Sequence, residues 1–322
     1  MGSASGDRES RAGAPQGGES MILVTGGAGV MGSRLVRGLV EAGNRVRVLT
    51  LPHDPFVSRL DGLDVDIRYG DVSDRAGIET LCEGVTTVYH LAAVLLSRDP
   101  AVFQRVNVNG TKNLVDLSVK AGVQHFVLVS SISVTYPYTT PYSLSKRECE
   151  RIVKDQHAMR WTIVRPTLAY NEFGGEEFMM YLDYLKRFPV VPFIGRGKAL
   201  KNPVHVDDLM RGFLAIANNP KTYGKTYAFS GSEEITIWDL GKEMLRHQGI
   251  SKPFVPIPVW LCKVLAAAMG ATMQKPPLTW NAIAGLTQDA NPDWSEARDD
   301  IGYRPIGIRE GLDRCFGVPA PR

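Results

Sequence analysis

Three side chains near the middle of the chain have the types and spacing of a proton-transfer device: Ser131, Tyr142 and Lys146. Tyr142 and Lys146 are four residues apart, so on a helix they share one face. A free tyrosine has a pKa of about 10 and is a poor base at neutral pH. An ammonium beside it, together with an oxidised nicotinamide, favours the phenolate and draws that value toward the working range. The lysine can also hold nicotinamide ribose hydroxyls. Ser131 follows an apolar run at 124–129 and can hydrogen-bond the reacting oxygen. A Tyr-x-x-x-Lys spacing alone is weak; its place after a strand ending in Ser130-Ser131 gives it weight.

Far upstream, the run Met21-Ile-Leu-Val-Thr-Gly-Gly-Ala-Gly-Val-Met-Gly32 reads as a strand, a glycine turn and a helix start. Gly26, Gly29 and Gly32 stand where a chain turns tightly, where backbone approaches phosphate, and where helix meets strand. The amides that open the helix, at Val30 and Met31, and the positive end of its dipole would face a pyrophosphate. A dinucleotide turn followed by a proton-transfer device implies hydride transfer to or from a nicotinamide. Thr50 ends the second strand, where a carboxylate marks NAD and a nearby arginine marks NADP. Leu49-Thr50-Leu51-Pro52-His53 carries neither signal, so the choice stays open, with NAD slightly preferred. Arg34, His53 and Arg59 could meet a 2′-phosphate, and each also reads as a solvated surface residue.

Such residues need a scaffold. Apolar runs at 21–25, 45–50, 64–69, 85–90, 124–129 and 160–165 read as strands, with helices near 30–42, 74–83, 101–121 and 142–158. Strands that are apolar without alternation are buried on both faces, which means a parallel sheet covered by helices. The fold class is therefore α/β, a doubly wound sheet of Rossmann type. Beyond Arg165-Pro166, segments 175–187, 207–218, 236–248, 258–270 and 277–287 read as helices, with a strand at 227–230. They describe a smaller, mostly helical substrate lobe. The expected division is a disordered tail (1–20), an NAD(P)-binding domain (21–170) and a substrate lobe (171–322) partly interleaved with it. A cleft between the lobes would lie above the carboxyl ends of the strands.

The bulk composition narrows the class. With 322 residues, 44% hydrophobic and 22% charged, the chain can bury a large core. The net charge of +3 comes without a Lys/Arg run, so no nucleic-acid partner is expected. Cys82, Cys149, Cys262 and Cys315 have no metal-ligand spacing and read as free thiols of a reducing cytosol, with no metal. Residues 1–20 lack the apolar run of a signal peptide. Met21 opens the first strand directly, so the tail reads as an addition or an over-called start. Asn109-Gly-Thr111 fits the glycosylation pattern, incidental without a signal peptide. The apolar stretch 255–273 contains Pro256, Pro258 and Lys263 and is short for a membrane span of about 20 residues. It reads as a packed amphipathic helix beginning near Pro258, with a membrane-surface contact as the alternative.

From Met21 to about Pro305 the sequence resembles the extended short-chain dehydrogenase/reductase family, the NAD-dependent epimerase/dehydratase group. The pieces that carry this are Thr25-Gly-Gly-Ala-Gly-Val-Met-Gly32, Gly70-Asp71-Val72, His90-Leu-Ala-Ala93, Asn107-Val-Asn-Gly-Thr111, Ser130-Ser131, Tyr142-Ser-Leu-Ser-Lys146, Arg165-Pro166, Val204-His-Val-Asp-Asp-Leu209, and the late Trp294-Ser-Glu-Ala with Ile301-Gly-Tyr-Arg-Pro305. The resemblance implies that Asp71 and Val72 face adenine, that Leu91, Ala92 and Ala93 line the cofactor, and that Asn107 supports the site. It places Arg165 and Pro166 at the cofactor as well, and makes Ser131, Tyr142 and Lys146 catalytic. Asp71 could instead cap a turn, His90 reads as a buried structural histidine, and Asp207 as a helix N-cap. Dimers through the helices near 101–121 and 142–158 are common in the family, so a homodimer is expected.

Departures from the pattern matter more. Ile132 and Ser133 stand where 4,6-dehydratases carry an Asp-Glu pair, so the acid and base for water elimination are missing. Leu168 stands where many sugar-nucleotide members hold the substrate diphosphate with asparagine. Lys201 replaces an arginine with a point charge that lacks the bidentate fork. The expectation is a cytoplasmic NAD(P)-dependent oxidoreductase or epimerase acting on a secondary alcohol or ketone. A nucleotide-sugar epimerase comes first, a dehydrogenase or reductase of a steroid-like or other small carbonyl substrate second, and a non-catalytic NAD(P)-binding sensor third. No membrane span is expected.

Overall fold

The computed structural model describes residues 20–171, 175–273 and 278–317. In the first half, strands β1 (Met21–Thr25), β2 (Arg45–Thr50), β3 (Val65–Tyr69), β4 (Val85–His90), β5 (His125–Val129) and β6 (Arg160–Pro166) alternate with helices α1 (Val30–Glu41), α2 (Pro100–Val102), α3 (Gly110–Ala121) and α4 (Pro141–Asp155). In the second half come β7 (Ala169–Tyr170), α5 (Glu176–Arg187), β8 (Val191–Ile194), β9 (Leu200–Lys201), β10 (Val204–His205), α6 (Val206–Ile216) and β11 (Lys225–Phe229). They are followed by β12 (Ile235–Thr236), α7 (Ile237–His247), β13 (Phe254–Ile257), α8 (Val259–Thr272), α9 (Trp280–Thr287), α10 (Ser295–Ile301) and α11 (Ile308–Phe316).

Seven strands form one parallel sheet in the order β3-β2-β1-β4-β5-β6-β11. The chain leaves β1 toward β2 on one side and places β4 on the other. This reversal of strand order opens a crevice at the carboxyl ends of β1 and β4. Both faces of the sheet are covered, which is why β5 is buried at every position. On one face Leu35, Val36 and Leu39 of α1 pack with Leu209, Phe213 and Ile216 of α6. On the other, Leu114, Val115 and Leu117 of α3 pack with Cys149 and Val153 of α4. A third core joins α5, α7, β8 and α11 through Phe178, Leu182, Phe193, Leu240 and Leu312.

Three expectations need correction. The strand expected at 227–230 begins at Lys225 and, as β11, extends the main sheet beside β6. Its Phe229 ring lies 5.6 Å from Phe213 of α6, so both elements belong to the first lobe's core. The helix expected over 74–83 is only a 3-10 turn, Ala76–Ile78. Ile78, Leu81 and Cys82 have helical spacing and are buried. Gly77 between Asp74 and that anchor weakens a helix by about 1 kcal/mol, and one short apolar stripe does not recover it. The helix expected near Pro258 forms as α8, yet it is not amphipathic. Only Cys262 and Ala266 are buried, while its opposite side stays apolar and exposed.

Candidate active site

The glycine turn is built by close approach. Gly26 adopts φ +69° and donates its amide to the Leu49 carbonyl at 3.0 Å. A Cβ there would stand 3.0 Å from the Ala92 amide, and one at Gly32 only 2.2 Å from the Gly26 carbonyl. These two glycines let β1, α1 and the segment after β4 meet. Gly29 differs, because a Cβ there would meet only the Gly26 carbonyl, at 3.2 Å. Gly29 caps α1 without any side-chain cap, and the first turn carries no acid. The opening amides, including those of Val30 and Met31, are thus left without an intrahelical or capping partner. That is the donor set an anion requires, so these residues fit a dinucleotide pyrophosphate.

The segment after β4 is pinned to this turn. Leu91 donates its amide to the Thr25 carbonyl at 3.2 Å, and Ala92 donates to the Thr25 hydroxyl at 3.3 Å. Ala93 leads into Val94, whose amide donates to Asn107 Oδ1 at 2.8 Å. Asn107 Nδ2 donates to the Val94 carbonyl and to Ser145 Oγ, both at 3.0 Å. Asn107 can do this because Phe103–Asn109 is π-helical, which widens the helix between α2 and α3. His90 is buried, with its ring nitrogens 2.7 Å from Thr25 Oγ1 and 3.0 Å from Thr111 Oγ1. Burial, helped by the Lys146 charge, pulls its pKa down to about 3, so it stands neutral and structural.

The adenosine end holds two findings. Thr50 is buried and donates its hydroxyl to Asp54 Oδ2 at 2.8 Å. A carboxylate therefore does sit at the end of β2, displaced four residues along the chain. Arg59 donates to the Ala28 carbonyl at 3.2 Å and lies 4.1 Å above the Phe56 ring, so it lines the glycine turn. Arg34 is paired with Asp207 at 2.7 Å, and His53 is exposed. Asp71 accepts from the Ser73 amide at 2.8 Å and shapes its own turn, while Val72 is buried in the α3 face of the core. The N-cap of α6 is His205, which accepts from the Asp207 amide at 3.3 Å; Asp207 lies in the first turn.

A capping box sets the register of α4. Thr140 Oγ1 accepts from the Ser143 amide at 3.1 Å, and Ser143 Oγ accepts from the Thr140 amide at 2.8 Å. The helix then begins at Pro141, and Tyr142 and Lys146 stand one turn apart facing the end of β5. The Ser131 hydroxyl, 2.9 Å from Ser133 Oγ, lies near enough to the Tyr142 phenol to favour its ionisation. The structure thus brings Ser131, Tyr142 and Lys146 to one place, near the Asn107 bridge. Lys146 is buried and donates to the Val129 carbonyl at 2.7 Å, and burial holds its pKa down. In the protein alone the Tyr142 pKa is raised. Burial raises it first and the Glu177 charge raises it further, while the Ser131 hydroxyl works the other way.

Four positions at the candidate site escaped the sequence reading. Glu177 lies in the first turn of α5, and its negative charge reaches Tyr142, Tyr136 and Lys201. Glu150, one turn beyond Lys146, takes Arg165 in a two-point pair at 2.8 and 2.6 Å and accepts from Ser130 at 2.6 Å. The Arg165 guanidinium is thereby committed to welding β5, α4 and β6, and buried Pro166 continues β6. The i, i+4 spacing from Lys146 to Glu150 was the available signal. Gln288, just past α9, exchanges hydrogen bonds with the Tyr138 backbone at 2.7 and 3.0 Å, tying the Ser131–Tyr142 loop to the second lobe. Asp54 is the fourth. Lys201, the cation expected at a substrate diphosphate, is buried and donates to the Gly285 carbonyl at 2.9 Å and to the Gln288 carbonyl. Burial pulls its pKa to about 8. Leu168 packs partly buried against the third core.

The cysteines are free, and among the described residues no cluster of metal-binding side chains occurs and no helix is long and apolar enough to cross a membrane. The sequence profile of the NAD dependent epimerase/dehydratase family matches residues 22–229. A UDP-glucose 4-epimerase of Vibrio cholerae is 24% identical over 88% of this chain and 90% of its own length. A 3 beta-hydroxysteroid dehydrogenase/Delta 5-->4-isomerase of Mycobacterium tuberculosis is 28% identical over 92% of this chain and 89% of its own. The crystal structure of a Thermotoga maritima UDP-glucose 4-epimerase with UDP-glucose superposes with a TM-score of 0.71 at 21% identity, covering 92% of this chain and 97% of that one.

Proposed function

The chain belongs to the NAD-dependent epimerase/dehydratase family, and from that premise we propose that it is an NAD(P)-dependent dehydrogenase or reductase of an apolar secondary alcohol or ketone, of steroid-like character. The observation that carries the choice is Lys201. A sugar-nucleotide substrate needs its diphosphate neutralised, and the cation available there turns away, buried on the Gly285 and Gln288 carbonyls. Leu168 supplies an apolar wall where an amide would be needed. A steroid dehydrogenase aligns with this chain as fully as a sugar-nucleotide epimerase does, so the preference rests on the residues of the site. The second reading, a nucleotide-sugar epimerase, rests on the fold neighbour with UDP-glucose.

In this reading Tyr142 takes the proton of the substrate hydroxyl and returns it in the reverse direction. Ser131 hydrogen-bonds the same oxygen. Lys146, anchored on the Val129 carbonyl, keeps a positive charge one turn from Tyr142 and offers it to ribose hydroxyls. When bound, the nicotinamide supplies the hydride acceptor or donor. The amides of the glycine turn hold the pyrophosphate, and Asp54 beside Thr50 favours the unphosphorylated ribose, hence NAD. Self-association would use α3 and α4, where Leu144 is half exposed.

The test is turnover with NAD or NADP on a panel of hydroxysteroids, long-chain secondary alcohols and UDP-sugars. Stoichiometric reduced nucleotide should appear with the apolar alcohols, and Tyr142→Phe should lower kcat by about 10³-fold with cofactor binding kept. Interconversion of UDP-sugars without net reduced nucleotide would overturn this reading in favour of the epimerase.

A further inference from the structure

Helix α8 and the start of α9 carry the largest exposed apolar side chains of the second lobe. Trp260 is 67% exposed, Val264 58% and Trp280 54%, with Val255 and Met273 about half exposed nearby. Trp260, Val264, Ala268 and Ala271 follow one stripe of α8 at helical spacing. The opposite stripe, Cys262 and Ala266, is buried against Ile194 and Ile283. A helix that is apolar on all sides belongs where every side is covered, in a core or at a lipid surface. This one has only one side covered, and the rest forms a contiguous apolar surface of the kind that marks an interaction site.

Charge says what the cover is. Between Glu243 and Asp289 the sequence carries Arg246, Lys252, Lys263 and Lys275 and no carboxylate. Glu243 and Arg246 neutralise each other in a pair at 2.8 Å, Asp289 accepts from the Leu200 amide at 2.8 Å, and Lys252 is held on the Leu185 and Lys186 carbonyls, so Lys263 is the cation that matters here. Lys263 stands within the patch, 5.8 Å from the Trp280 ring and 5.8 Å from the Tyr138 ring. Tryptophan beside lysine around an aliphatic stripe suits the boundary between headgroups and acyl chains. At 14 residues α8 is too short to span a bilayer. We propose that the α8–α9 face docks this protein on an anionic membrane surface, with α8 lying in the plane of the interface.

The placement relates the surface to the candidate site. Tyr138 belongs to the loop between Ser131 and Tyr142, and its backbone is held by Gln288 just past α9. The docked face therefore abuts the loop that carries the proton-transfer residues, and an apolar substrate leaving the bilayer would meet that loop. Docking itself does not depend on the substrate reading, so the two can fail separately.

The full chain is sedimented with phosphatidylcholine vesicles with and without phosphatidylglycerol, and tryptophan emission is recorded. Binding should require phosphatidylglycerol, weaken as salt is raised, and shift the emission to the blue. Trp260→Glu with Val264→Glu should weaken binding by more than about tenfold, with an unchanged unfolding midpoint because both side chains are exposed. Lys263→Glu should reduce the dependence on phosphatidylglycerol. Three results overturn the proposal: no binding by the native chain, binding indifferent to the double variant, or a concentration-dependent dimer in solution that the double variant abolishes. The last would assign the face to a second copy of this chain.

Discussion

Alanine at Gly38, Gly29 and Gly32 places the same methyl group at three points on or capping α1, and the surroundings dictate three different results. At Gly38 the new Cβ meets only the flexible end of Leu214, at 3.0 Å. The helix gains about 1 kcal/mol of propensity, and Leu214 gives way by a few tenths of an ångström, so net stabilisation is about 0.5 kcal/mol. At Gly32 the Cβ would lie 2.2 Å from the Gly26 carbonyl and 2.7 Å from Gly27 Cα. Backbone must separate by roughly 1 Å, and the strain exceeds the propensity gain, for a net loss of about 2 kcal/mol. At Gly29 the backbone is extended (φ −64°, ψ 170°), a conformation alanine adopts freely, and the contact is 3.2 Å. Stability should stay within about 0.5 kcal/mol of the parent. Its methyl group nevertheless faces the open side of the turn. Loss of one amide bond to a pyrophosphate costs about 1.5–3 kcal/mol, a roughly ten- to hundredfold weaker Kd for the dinucleotide. Urea unfolding followed by circular dichroism measures the first quantity and calorimetric titration with NAD and NADP the second. A Gly29→Ala protein that binds dinucleotide like the parent would show that the turn is not the phosphate cradle. A Gly32→Ala protein as stable as Gly38→Ala would show that the packing of helix on turn is loose.

Two further outcomes follow from the same site. The Glu177 charge raises the Tyr142 ionisation, so Glu177→Gln should lower it. The limb of the pH–rate profile along which alcohol oxidation rises toward alkaline pH should move to lower pH, because the base form of Tyr142 appears earlier. A limb that stays in place or moves upward would remove Glu177 from the electrostatics of Tyr142. Asp54→Ala should raise KM for NAD by about tenfold with no matching rise for NADP, since only NAD keeps the 2′-hydroxyl that would donate to that carboxylate. An unaltered ratio between the two cofactors would refute a role for the Thr50–Asp54 pair.

Much of this was legible in the sequence, and the reason is that local rules decide it. Buried parallel strands are apolar on both faces, so β1, β2, β4 and β5 announce themselves within a residue of their ends. Gly26 and Gly32 stand where a side chain cannot fit, and the spacing from Tyr142 to Lys146 is one helical turn. Other members of the site meet through an irregular turn or across a long stretch of chain, as Lys201 and Gly285 do over 84 residues, and there the local rules fall silent. Thr50 looks like an empty ribose position until the turn after β2 brings Asp54 back to it. Lys201 looks like a weak phosphate ligand until α9 presents the Gly285 and Gln288 carbonyls that take its protons. Glu177 comes near Tyr142 only because the second lobe folds over the first. The apolar run 255–273 reads as a helix with a core face, and only packing shows that Cys262 and Ala266 alone are covered while Trp260 and Val264 remain outside. Sequence therefore determined the strands, the glycine turn and the spacing of the candidate proton-transfer side chains, which depend on backbone sterics and helical period. Tertiary structure decided which charges stay available to a ligand and which apolar surface stays open, because both depend on what distant segments place alongside.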